Sequence, residues 1–178
     1  MNSITLQGNF ILTMILQNVT RILIEMICKI PSGRIGAPLK LELFQKARFQ
    51  AIYGFVDDNN LRQYNECLIV EGRKNGKTTE TASVEIDLLV NDREGAPQIY
   101  NVATMRDQAA LGFTACYKMV QQSPLLSKHI KKRASDLYFK QNFGFIKALA
   151  SNTNSLDGLD VHGGVIDELA AIKKQRYL

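Results

Sequence analysis

The chain has 178 residues, 46% of them hydrophobic, so it can bury one substantial core and a second independently folding domain is not expected. Its net charge of +5 favours a polyanionic partner without identifying one. Cys28, Cys67 and Cys116 lie far apart without metal-ligand spacing, which fits buried free thiols in a reducing compartment and not a disulfide framework.

Near the N-terminus, "FILTMILQNVTRILIEMICKI" is apolar enough to resemble a membrane span, but Gln17, Asn18, Arg21 and Glu25 interrupt it and no basic segment precedes it. Leu12, Ile15, Leu16, Val19, Leu23, Met26 and Ile27 recur at helical spacing, which predicts a docked amphipathic helix. The two prolines and two glycines of "PSGRIGAP" mark a connector, and "LKLELFQKARFQAIYGF" reads as a second helix. "NECLIV" has the length and apolarity of a strand and leads into a glycine-containing loop. After the loop, Ala82, Ile86, Leu89 and Val90 repeat at helical spacing in "TTETASVEIDLLV".

The alternation continues with "PQIYNVAT" as a strand and "RDQAALGFTACYKMVQQ" as a helix that buries Ala109, Phe113, Cys116 and Val120 and stops before Pro124. "SDLYFK" and "FGFIKALAS" around "QNFG" predict a hairpin. "GGVIDELA" reads as a strand ending in two acids. Strands alternating with helices argue for an α/β fold with a mainly parallel central sheet. The basic run "HIKKRASD" reads either as a solvated cluster or as a contact for DNA phosphates, and His129 and His162 are too isolated to form a metal site or a nucleophile–base pair.

The loop carries the chemistry. In "VEGRKNGKTTE", Gly76, Lys77 and Thr78 match the end of G-x-x-x-x-G-K-[ST], while Glu71 stands where the first glycine belongs and Gly72 comes one residue late. A strand–loop–helix context would aim the amides of Gly72, Arg73, Lys74, Asn75, Gly76 and Thr79 at the phosphates of ATP. Lys77 would neutralise the β- and γ-phosphates and the Thr78 hydroxyl would bind Mg²⁺. In "GVIDE", Asp167 would hold the same metal and Glu168 would orient and deprotonate the attacking water. Taken singly, each half also reads as a capped basic turn or an acidic helix start; their order in one chain is what joins them.

With these motifs in place, "PLKLELFQKARFQAIYGF", "LRQYNECLIVEGRKNGKTT", "ATMRDQAALGFTACYKMV" and "SLDGLDVHGGVIDELA" resemble, in order, the N-terminal ATPase portion of the large terminase subunit of tailed bacteriophages. The resemblance implies a P-loop NTPase-like three-layer α/β fold, with an N-terminal helical extension over residues 1–35 and the ATPase domain over 36–178. Arg73 resembles the family's loop arginine that senses the γ-phosphate, although a solvated charge there is an equal reading. Gln45 resembles the glutamine that contacts adenine, and Asp157 and Gly158 resemble the loop before the acidic strand, with no role assigned.

The implied partners are double-stranded DNA, a small terminase subunit and the capsid portal, with a homo-oligomeric ring in the intact motor, in the host bacterial cytoplasm and without a membrane. The chain ends about ten residues after Glu168, so the nuclease domain is expected to be absent and the strand coupling hydrolysis to movement to be missing. A helicase-like DNA-dependent ATPase and a catalytically silent remnant that only binds nucleotide or DNA are the competing readings.

Overall fold

The computed structural model describes residues 3–5, 11–59, 61–103, 106–150 and 158–167. Strands β1 (Ser3–Thr5) and β2 (Ile11–Thr13) precede helix α1 (Met14–Ile27), and α2 (Leu43–Tyr53) runs into the short β3 (Phe55–Val56). These three strands pair antiparallel in the order β1-β2-β3. The expected N-terminal helix is thus present but begins only at Met14, after a strand that the helical spacing of Leu12 did not foresee. It contributes Ile24, with Cys28 just beyond its end, to the buried core, whereas Met26 is exposed.

The larger unit follows with α3 (Lys77–Val90), β4 (Gln98–Ala103), α4 (Arg106–Gln122), α5 (Pro124–His129), β5 (Ile130–Lys132), β6 (Asp136–Phe139), β7 (Gly144–Ala150) and β8 (Val161–Ile166). The sheet order is β5-β6-β7-β4-β8. Its centre is parallel, β7 and β8 both running with β4, while β5 and β6 extend it antiparallel. Ile86 and Leu89 of α3, Ile99 of β4, Cys116 and Met119 of α4, and Leu137 and Ile146 of the hairpin meet in one core. Pro124 does not simply stop α4; it opens α5 at the position where a missing N–H is harmless, behind Ser123 as N-cap. No helix among the described residues is long and apolar enough to cross a membrane.

Two expectations fail. The "NECLIV" run is not a strand: Leu68 and Val70 are 76% and 86% exposed, and no ladder bond is formed there. Cys67 in the same run is exposed, while Cys28 and Cys116 are buried as expected.

Contacts along α3 set its direction against the sheet. At its C-terminal end, Leu89 O accepts from Asn142 Nδ2 at 2.7 Å, just before β7 begins, and Asp92 meets His162 at the start of β8, also at 2.7 Å. Glu85, a turn nearer the N-terminus, bonds Asn101 near the end of β4. The helix therefore runs antiparallel to β4, β7 and β8, and its N-terminus lies at their C-terminal end.

Gly144, at the root of β7, is a point of close packing behind this arrangement. A Cβ there would come within 2.6 Å of the Pro97 ring and 2.9 Å of Leu89 Cδ1. The Pro97 carbonyl is itself fixed by the amide of Phe145 at 3.0 Å, so the ring cannot retreat freely. Gly144→Ala should destabilise the fold by about 1–3 kcal/mol, measured by urea denaturation.

Candidate functional site

Gly76 is the hinge of the site. It lies in the left-handed region with φ 83°, serves as N-cap of α3, and its carbonyl accepts from the amides of Thr79 and Glu80 at 3.0 and 2.9 Å. A side chain at this φ is strained, so glycine suits the sharp entry. Lys74 also has positive φ, 68°, so the loop turns twice within three residues. Being N1 and N2 of the helix, Lys77 and Thr78 have amides with no helical acceptor, and they face outward with the positive end of the α3 dipole behind them. Gly72, Arg73, Lys74, Asn75, Gly76 and Thr78 are exposed; Lys77 and Thr79 are half-buried.

The acidic strand ends at the same end of the sheet as this helix start. Ile166 is in register with Val102, and the Asp167 amide continues the ladder to the Val102 carbonyl at 3.2 Å. Asp167 is exposed at the C-terminal end of β8, the same end of the sheet as the N-terminus of α3. Glu168 and Asp157 lie outside the described residues, and Gly158 is exposed in a turn with φ 79°. Thr78 and Asp167 supply one hydroxyl and one carboxylate, the hard oxygen donors that Mg²⁺ combines with nucleotide phosphates. The described residues contain no cluster of three or more His, Cys, Asp or Glu able to hold a metal alone.

On the other side of the loop a cleft of about 390 Å³ opens between Lys74–Gly76 and the segment leading into α2. Leu39, Leu41 and Phe44 give it an apolar wall, and Gln45 stands at its edge. Gln45 is nearly buried, and its amide is oriented by two bonds: Oε1 accepts from the Glu42 amide at 2.9 Å, and Nε2 donates to Glu80 Oε2 at 3.1 Å. The first of these closes the capping box of α2.

Arg48, Glu71 and Glu80, to which the sequence assigned no role, meet beside the loop. Arg48, one turn after Gln45, donates from Nη1 to both Glu80 oxygens at 2.8 Å and from Nη2 to Glu71 Oε1. Burial pushes the Glu80 carboxyl above the usual carboxylate range, and Arg48 and Gln45 draw it partly back. The odd residue at position 71 was the available signal: a carboxylate in a phosphate loop needs a cation nearby.

Deeper along α3, Glu85 is buried, with Oε2 accepting from Asn101 Nδ2 at 2.7 Å and from Cys116 Sγ at 3.0 Å, and Oε1 without a partner among the described residues.

A left-handed glycine, a lysine–threonine pair at a helix start and an acid at the tip of a parallel strand, all at the C-terminal end of one sheet, define a P-loop-like nucleotide-binding fold. A family model for the terminase large subunit, ATPase domain, matches residues 43–178, and the chain belongs to this family. It is 30% identical over 154 residues to the terminase large subunit of Enterobacteria phage HK97, covering 84% of this chain and 30% of that protein. The crystal structure of the HK97 bacteriophage large terminase superposes with a TM-score of 0.74 at 27% identity, over 88% of this chain and 32% of the other. The chain thus spans about a third of the length of these relatives.

Proposed function

We propose that this chain binds MgATP between the phosphate loop and the tip of β8 and hydrolyses it, as the motor portion of a terminase large subunit that drives double-stranded viral DNA into a capsid. The observation that carries this reading is the convergence of Gly76, Lys77, Thr78 and Asp167 at one end of the sheet, beside a cleft of nucleoside size. Lys77 neutralises the β- and γ-phosphates, the loop amides from Gly72 to Thr79 cradle them, and Arg73 stabilises charge at the γ-phosphate. Gln45 faces the base. Thr78 and Asp167 would hold Mg²⁺, which when bound would supply charge neutralisation at the phosphates. Glu168, next in the chain after Asp167, takes the proton from the attacking water.

In the intact motor, several such subunits form a ring on the capsid portal in the host cytoplasm, and a small terminase subunit selects the DNA. Thermal unfolding tests the nucleotide step directly. MgATP at 100 times its dissociation constant should stabilise the chain by about 2.7 kcal/mol, a rise of a few degrees. An unfolding temperature that millimolar MgATP leaves in place overturns the reading.

A further inference from the structure

The phosphate loop is closed by one guanidinium. Arg48 of α2 reaches Glu71, where the loop begins, and Glu80, in the first turn of the helix where the loop ends. The two acids are nine positions apart in the chain and are joined through a residue 23 and 32 positions away from them. We propose that Arg48 is a positioning residue that holds the entrance and exit of the phosphate loop at a fixed separation and ties both to the helix carrying Gln45. The proposal rests on the nucleotide site assigned above and deepens it.

Geometry and charge both favour this role. Arg48 is mostly buried, and its guanidinium lies 5.6 Å from the centre of the Phe44 ring, so it is held on a third side. Glu80 is 3% exposed and Glu71 is 11% exposed in its side chain, with Oε2 of Glu71 buried and without a partner among the described residues. Two carboxylates this close to a triphosphate would repel it unless neutralised, and Arg48 is the cation that the structure places between them. A planar fork can bridge two acids at once, whereas a lysine ammonium keeps the charge without the fork. Gln45 and Arg48 grip the same Glu80 carboxylate from successive positions on one face of α2, so a shift of the loop is felt at the cleft edge.

The test compares MgATP with magnesium tripolyphosphate, which has no base or ribose, on the wild-type chain and on Arg48→Lys and Glu71→Gln, by isothermal titration with unfolding temperatures alongside. Arg48→Lys should weaken both ligands about tenfold, and Glu71→Gln, which frees only the loop entrance, should weaken both about threefold and speed amide exchange at residues 72–76. A loss for MgATP alone would place Arg48 in the base cleft and overturn the loop role. Unchanged affinities in a folded Arg48→Lys chain would do the same. Failure of Arg48→Lys to fold leaves Glu71→Gln to decide, and unchanged exchange and affinity there sink the proposal. Absence of any binding by the wild-type chain is a separate outcome, which removes the nucleotide site itself.

Discussion

Replacing Lys77 with alanine is expected to weaken MgATP binding roughly 10- to 100-fold, because a charge-assisted hydrogen bond to phosphate is worth about 1.5–3 kcal/mol and each 1.4 kcal/mol is tenfold in affinity. Stability should stay within about 0.5 kcal/mol, since Lys77 is only half-buried and two other cations, Arg73 and Lys74, crowd the same loop. The companion replacement separates binding from chemistry. Glu168→Gln removes the proposed proton acceptor and no proposed phosphate contact, so binding should persist while hydrolysis slows about 10²- to 10⁴-fold. Titration calorimetry and phosphate release on the same preparations read the two effects apart. A Glu168→Gln chain that hydrolyses at the wild-type rate would show that water is activated elsewhere, and a Lys77→Ala chain that binds normally would show that the phosphates do not lie at the start of α3.

Where burial follows a local period, the sequence told the structure well. The helix read over "RDQAALGFTACYKMVQQ" has the observed limits Arg106–Gln122, and of the face read from its spacing Ala109, Cys116 and Val120 are buried while Phe113 is half-buried. The hairpin around "QNFG" was legible from its turn, whereas the acidic strand was read from composition alone, since no residue of β8 is buried and Val161 and Ile166 are exposed. What failed depended on partners distant in the chain. Leu68 and Val70 have strand composition, but an apolar run becomes a strand only where a neighbouring ladder takes its amides and carbonyls, and none does here among the described residues.

The converse happened at β5. "IKK" looks like solvated charge, yet its register with Leu137–Phe139 makes it a strand, with only Ile130 buried. The turn into α3 was readable from spacing because Gly76, Lys77 and Thr78 are consecutive and glycine suits the left-handed N-cap. The Arg48 bridge was not, because its acids lie 23 and 32 residues away and no short pattern links them.

Stability should fall as pH rises from about 3.8 to 7, and two buried acids of α3, Glu85 and Asp87, are the cause. The Glu85 carboxyl is fully buried, and burial pushes it from 4.5 up to about 7 against the opposing pull of Cys116 and Asn101. In the unfolded chain the group ionises near its ordinary value, so between the two the folded state binds more protons and loses stability with each step in pH. The Glu85 effect is absent below 4.5 and complete above 7, and at about 1.4 kcal/mol per pH unit it amounts to about 3 kcal/mol. Asp87, one turn before Asn91 on the same helix end, is raised from 3.8 to about 7 mainly by burial, a larger shift whose loss of stability runs from about 3.8 to 7.

Glu85→Gln isolates the first contribution. Its carbonyl oxygen still accepts from Asn101 and Cys116, while its amide takes the place of the unpartnered Oε1. At pH 8 the variant should be more stable than wild type by about 1–3 kcal/mol, the upper end being the whole ionisation cost. At pH 4.5 the difference should disappear or reverse, and the slope that remains belongs to Asp87. Urea denaturation at both pH values reads the sign directly. An equal loss of stability at pH 4.5 and pH 8 would mean that Glu85 is ionised within the fold throughout, with a cation or water satisfying Oε1, and that α3 carries a fixed negative charge behind the phosphate loop.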